Sequence, residues 1–292
     1  MRYILALMRH ASTFLFESDD GAELCVYRWQ PELPPKAVIH LAHGLGEHSG
    51  RYGNYVDYFV PRGYALYGFD TRGHGRTSGP RGYVERFDRF VDDVDRRAAQ
   101  ARSDWPGKPL FVLAHSLGSL MGLSYARQYP DRLNGLIVTG TALQDALELP
   151  PWKRSLATVL SRVTPTLKMN SGVALSGLSH DPAVIAAYEA DPLTHPWATP
   201  RLATEAEVVR AQIRQGAATW QVPTLMLHGG ADPICLTEGA LQFAAQTPAG
   251  LVDYRTYSGL YHEIHNEPEK EQVFRDIEAW LQPRLAAVGL SE

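Results

Sequence analysis

Short apolar runs alternate with helix-patterned stretches along most of this 292-residue chain, and that alternation leaves few folds open. Ala37–Leu41, Ala65–Phe69, Leu110–Ala114, Gly135–Thr139, Thr224–His228 and Leu251–Tyr257 read as buried strands. Tyr52–Pro61, Phe87–Arg102, Ser116–Tyr129, Glu238–Gln246 and Glu269–Leu285 read as the helices beside them. Strands that alternate with helices predict an α/β fold, a mostly parallel sheet covered on both faces. Thr13–Phe16 and Leu24–Gln30 read as a leading hairpin, turned at Ser18-Asp19-Asp20-Gly21.

About eighty residues between Thr139 and Thr224 break the rhythm, too many for a plain loop. Trp152, Leu156, Val159, Leu160 and Val163 recur at helical spacing. Asp181–Tyr188, opened by Asp-Pro, and Glu205–Gln215 read as two more helices. The division that follows is a core over 1–140, an inserted helical cap over 141–220, and the rest of the core over 221–292. The preferred reading of the Trp152–Val163 stripe is a helix packed on the core. The second reading, with Lys153, Arg154, Arg162 and Lys168 nearby, is transient contact of the cap with a membrane surface.

Ala114-His115-Ser116-Leu117-Gly118 sits where a strand gives way to a helix. In a nucleophile elbow a serine occupies a tight, strained turn there, and small residues two before and two after leave it room. Alanine in place of the usual first glycine adds only a methyl group. A serine hydroxyl is a poor nucleophile without a base, so the elbow predicts a downstream carboxylate and histidine. Asp232 follows the strand Thr224–Leu227, at the carboxyl end where open α/β sheets place their sites. Taken alone, Asp232-Pro233 reads as an Asx-turn. In the chain order Ser…Asp…His it reads as the catalytic acid. His262, in the loop after Leu251–Tyr257, is the expected base, and His265 is its rival.

Acyl transfer also needs two backbone N–H donors for the oxyanion. Leu117 supplies one. Leu45, in the loop His43-Gly44-Leu45-Gly46 after Ala37–Leu41, supplies the other. A dinucleotide loop is excluded there because Glu47, His48 and Ser49 follow and the third glycine is missing. His40, His43 and His48 have no metal-ligand spacing, so neither metal nor cofactor is expected. Asp70 precedes the serine and reads as structural, paired with Arg72, with His74 bonded to backbone.

Composition excludes other classes. Net charge is −4 with no basic block, which argues against nucleic acid. The apolar run Tyr3–Met8 is cut short by Arg9 and His10, too soon for a secretory signal, so residues 1–12 read as a frayed leader, with Met8 an alternative start. Two cysteines, Cys25 and Cys235, make no disulfide framework and point to a reducing cytoplasm.

Taken together, His43–Tyr52, Gly68–Ser78, the elbow, Asp181-Pro182 with Tyr188–Leu193, and Tyr261–Glu269 carry a resemblance. From about Phe16 to Leu281 the chain resembles the monoacylglycerol lipase and lysophospholipase group of α/β-hydrolases. The resemblance implies an α/β-hydrolase fold with an eight-stranded sheet and a cap. It implies a serine hydrolase that cleaves monoacylglycerols through Ser116, Asp232 and His262, with a lysophospholipase or broad carboxylesterase as the alternative. It also implies that Glu47, Arg51 and His265 line a polar end of the pocket for the glycerol group, and that Cys235 is a target for thiol reagents. A non-catalytic binding module of this fold usually lacks a triad member, and here all three stand.

Overall fold

The structure, a computed structural model, describes residues 11–146 and 150–286. In chain order its strands are β1 (Ala11–Glu17), β2 (Glu23–Trp29), β3 (Ala37–Ala42), β4 (Tyr64–Phe69), β5 (Leu110–His115), β6 (Gly135–Thr139), the two-residue β7 (Met169–Asn170) and β8 (Trp197–Ala198), β9 (Thr224–Gly229) and β10 (Val252–Tyr257). Eight of them form one sheet in the order β1-β2-β4-β3-β5-β6-β9-β10. β1–β2 and β2–β4 pair antiparallel, and every other neighbouring pair in that sheet is parallel. Of the leader expected over 1–12, residues 1–10 lie outside the described residues. Ala11 and Ser12 already pair with Trp29 and Arg28 in the hairpin.

The longer helices are α1 (Gly53–Phe59), α2 (Asp88–Asp104), α3 (Leu117–Gln128), α4 (Pro151–Val163), α5 (Pro182–Ala190), α6 (Pro200–Gln215), α7 (Thr237–Gln246) and α8 (Lys270–Ala286). The sheet has a helical layer on each face, and the strands feed both. Side chains alternate along a strand, so β5 sends Val112 and Ala114 one way and Phe111 and Leu113 the other. Val112 and Ala114 join a cluster with Val91, Val94, Leu120 and Leu123 of α2 and α3. Phe111 and Leu113 join Phe59 of α1 and Phe274 and Ile277 of α8. Each large apolar side chain taken out of water contributes on the order of 1.5–3 kcal/mol.

The insertion between β6 and β9 has its own logic. Asp181 caps α5 by accepting from Ala183 N–H at 2.9 Å, with Pro182 at the first helical position. Thr199-Pro200 opens α6 in the same manner, so this helix begins five residues before the expected Glu205. α6 packs on α3 and sends Leu202, Val209 and Ile213 into the first core.

The apolar stripe of α4 is a correction. Trp152, Leu156, Val159 and Val163 do not pack on the core. They face outward, with Trp152 63% and Val163 74% exposed. The opposite side of α4 rests on α6 through Ser161, whose hydroxyl bonds that of Thr204 at 2.9 Å. Periodicity reveals that a helix has an apolar face but not which way that face turns.

Candidate active site

The loops at the carboxyl ends of β3, β5, β9 and β10 converge on one cavity. Ser116 follows β5 with φ 53° and ψ −122°, the only non-glycine at positive φ among the described residues. A residue keeps such a backbone only where its surroundings over-determine it. Ser116 N–H donates to Thr139 O at 3.1 Å, and Ser119 N–H donates to Ser116 O at 2.8 Å. A Cβ on Gly118 would stand 2.2 Å from Ala42 O, so the turn demands glycine there. A Cβ on Gly122 would stand 2.7 Å from that of Ala114. The methyl group that departs from the usual elbow is accommodated by that glycine, one helical turn into α3.

Asp232 is buried after β9, and its carboxylate accepts four hydrogen bonds. His262 Nδ1–H and His228 Nε2–H donate to Oδ2 at 2.7 and 3.0 Å. Ile234 and Cys235 N–H donate to Oδ1 at 2.8 and 3.0 Å. The Asx-turn and the acid–base pairing therefore coexist on one side chain. Burial works to raise this carboxyl, and the His262 charge and the His228 hydrogen bond overcome it, holding the group well below the usual range. Burial works to lower His262, and the Asp232 carboxylate more than reverses that, so the imidazole is raised above 6.5. Gly140 stands close behind, where a Cβ would meet the His262 ring at 3.0 Å. His115, the residue before the serine, places its ring 4.7 Å from that of His262 and anchors Nδ1–H on Thr139 O at 3.1 Å.

Ser116 and His262 both border a cavity of about 390 Å³. No hydrogen bond joins the serine hydroxyl to the imidazole in this conformation, as is common before substrate tightens a site. Leu45, Val173, Leu175, Leu178 and Ile234 give the cavity an apolar wall. Glu47, Arg51, Tyr188 and Glu263 form a polar end. Arg51 is bidentate to Glu263 at 2.6 and 2.8 Å and bonds Glu47 at 2.8 Å, and its guanidinium lies 4.7 Å from the Tyr188 ring centre. Burial favours the neutral acid at Glu263, and Arg51 outweighs it, so Glu263 stays ionised.

His265 is the exception among the expected lining residues. It is fully buried, stacked between Tyr52 and Tyr55 at 5.1 Å from each, and does not border the cavity. Tyr52, just before α1, and Tyr55 within it hold the ring behind the wall, where burial lowers it to about 4. Glu263, beside His262 in sequence, takes the place next to Arg51. That adjacency, and the place of Tyr188 in the run Tyr188-Glu189-Ala190-Asp191 that follows the Asp181-Pro182 helix start, are the sequence signals for these two residues.

The loop after β3 carries Leu45 on the cavity wall, and Leu117 opens α3 beside Ser116. As the first residue of a helix, Leu117 has no acceptor one turn back for its N–H. Three further expectations are settled nearby. Asp70 is structural, accepting from Ser49 and Arg76 N–H at 2.9 Å and from Tyr27 Oη at 3.0 Å. Arg72 does not pair with it; the guanidinium goes to the buried Asp93, at 2.6 and 2.8 Å, and to Asp20. His74 does bond backbone, donating to Arg72 O at 2.9 Å. Cys235 is 2% exposed, and burial raises its thiol well above 9, so the reactive thiolate expected of it is suppressed.

Residues 33–269 match the model of the family described as serine aminopeptidase, S33. A monoacylglycerol lipase of Mycolicibacterium smegmatis is 32% identical over 271 residues, covering 92% of this chain and 96% of that protein. Human monoglyceride lipase is 30% identical over 275 residues, covering 92% and 90%. The crystal structure of Paleococcus ferrophilus monoacylglycerol lipase superposes with a TM-score of 0.80 at 31% identity, covering 91% and 99%. With its elbow, its sheet order and this extent of likeness, the chain belongs to the serine aminopeptidase S33 family of α/β-hydrolases.

Proposed function

We propose that this enzyme hydrolyses the ester bond of monoacylglycerols, with Ser116 as nucleophile, His262 as base and Asp232 as its orienting acid. Ser116 Oγ adds to the carbonyl carbon as His262 Nε2 takes its proton. The N–H groups of Leu45 and Leu117 receive the oxyanion. His262 then protonates the departing glycerol oxygen, and water repeats the cycle on the acyl-enzyme to release the fatty acid.

The observation that carries the substrate is the state of Arg51. Glu47 and Glu263 already neutralise it, so among the described residues the polar end holds no free cation for a phosphate. Glu189 and Asp191 add further carboxylates to the lining. A neutral polyol fits this end, and the apolar wall fits one acyl chain. The relatives that carry monoacylglycerol lipase names support the same choice over a lysophospholipase.

Residues 141–220 act as a cap that supplies Val173, Leu175 and Leu178 of the apolar wall. The outward face of α4, with Leu167 and Met169 also exposed, gives the cap a surface for a lipid interface, and Lys153, Arg162 and Lys168 beside it suit anionic head groups. Among the described residues no helix is long and apolar enough to cross a membrane. The enzyme works from the cytoplasm as a peripheral visitor.

The test is turnover of long-chain monoacylglycerol beside di- and triacylglycerol, lysophosphatidylcholine and short-chain esters, with Ser116→Ala as the blank. Monoacylglycerol should lead, and the variant should lose on the order of 10⁶ in kcat. Faster cleavage of lysophosphatidylcholine would move the substrate to the phospholipid class.

A further inference from the structure

The loop His43–Glu47 is tied at Gly44 N–H, Gly44 O and Gly46 O. Thr71 N–H donates to His43 Nε2 at 2.8 Å, so the proton sits on Nδ1 and is given to Gly44 O at 2.8 Å. Gly44 N–H donates to Glu47 Oε1 at 2.6 Å. Gly46 O accepts twice from the cap, from Tyr188 Oη and from His195 N–H, each at 2.9 Å. Leu45 N–H, between these anchors, has no partner among the described residues. The contact is close enough to dictate sequence. Gly46 has φ 75°, and a Cβ there would stand 2.2 Å from His195 O and 2.9 Å from Tyr188 Oη.

An oxyanion donor works because it is already aimed before charge develops. Leu45 N–H shares its peptide plane with Gly44 O, which His43 holds, and Gly46 O, in the Gly46–Glu47 plane, is the loop's anchor on the far side of Leu45. The core holds that loop through His43 and Glu47, and cap residues hold it at Gly46 O. We propose that Tyr188 is a positioning residue of the hydrolysis: its hydroxyl, delivered by the cap, holds Gly46 O so that Leu45 N–H faces the substrate's carbonyl oxygen. The cap thereby takes part in the chemical step as well as in acyl-chain binding. This rests on the reading of Ser116 as nucleophile.

Tyr188→Phe keeps the ring against Arg51 and removes only the hydroxyl. Four quantities separate the outcomes: kcat and KM for a monoacylglycerol, the Ki of an acyl trifluoromethyl ketone, which becomes an oxyanion on the enzyme, the Kd of a non-hydrolysable ether analogue, and fluorophosphonate labelling of Ser116. The expected result is a fall of about tenfold in kcat and in ketone affinity together, with KM and ether affinity within about twofold. Unchanged kcat and ketone affinity in a wild-type protein that labels at Ser116 overturns the proposal alone. Equal loss of ketone and ether binding also overturns it, because the hydroxyl would then shape the cavity and not the oxyanion loop. Failure of the wild type to label at Ser116 overturns the nucleophile assignment and this proposal with it.

Discussion

Four donors converge on the Asp232 carboxylate, and their effect reaches the imidazole beyond it. A general base must be neutral to accept a proton, so activity falls as pH drops through the pKa of His262. Because Asp232 raises that pKa, the acid limb of kcat/KM should have its midpoint above 6.5. Asp232→Asn removes the charge and leaves burial, which pulls the other way. The limb should then move to lower pH while kcat falls by about 10⁴ through loss of the correct tautomer. Paired pH–rate profiles of the two proteins check this, and a limb that does not move would mean that another group titrates. The proposed roles of Ser116, Asp232 and His262 are suggested by sequence because each residue follows a strand in a fixed chain order. Those of His115, His228 and Glu263 are not, because they depend on rings and carboxylates that meet only after the strands assemble. His265 carried the same surface signal as His262, three residues away, and the aromatic stack of Tyr52 and Tyr55 decided between cavity and core.

At the scale of elements, α4 is built inside out. Its polar side, through Ser161, meets α6, and its apolar side meets solvent. Contiguous exposed apolar surface is expensive for a monomer and marks a contact site. Trp152→Glu with Leu156→Glu should abolish co-sedimentation with vesicles of mixed anionic and neutral phospholipid. Hydrolysis of a freely dispersed short-chain ester should stay within about twofold, since neither side chain borders the cavity. Undiminished vesicle binding would assign that face to another partner. The core helices and strands were legible to within a few residues, because their apolar runs and caps are local. α4 was legible as a helix and misread in orientation, because the sign of an amphipathic face is set by what covers it.

Across the whole molecule, histidines are buried in number, and that ties stability to pH. Burial lowers the imidazoles of His40, His43, His74, His115, His195 and His265, to about 3 at His40 and about 4 at His265. In the unfolded chain each would titrate near 6.5. Below that pH the unfolded state binds more protons than the folded state, so these groups contribute stability that is fully present above 6.5 and lost as pH falls. His262 runs the other way, since its raised pKa contributes stability below 6.5 that is lost as pH rises through the folded value. Asp57 and Asp93, raised by burial, oppose the trend nearer their own range. Six lowered imidazoles outweigh these three. Denaturant titrations should therefore show the unfolding free energy dropping between pH 7 and 5 by at least about 1.4 kcal/mol per pH unit, the share of one such group. His265→Phe keeps an aromatic ring in the stack and removes a proton site whose two nitrogens find no partner among the described residues. Its slope should be shallower than that of the wild type over the same range. An equal slope would mean that His265 is protonated in the folded protein, and that the stack between Tyr52 and Tyr55 tolerates a cation.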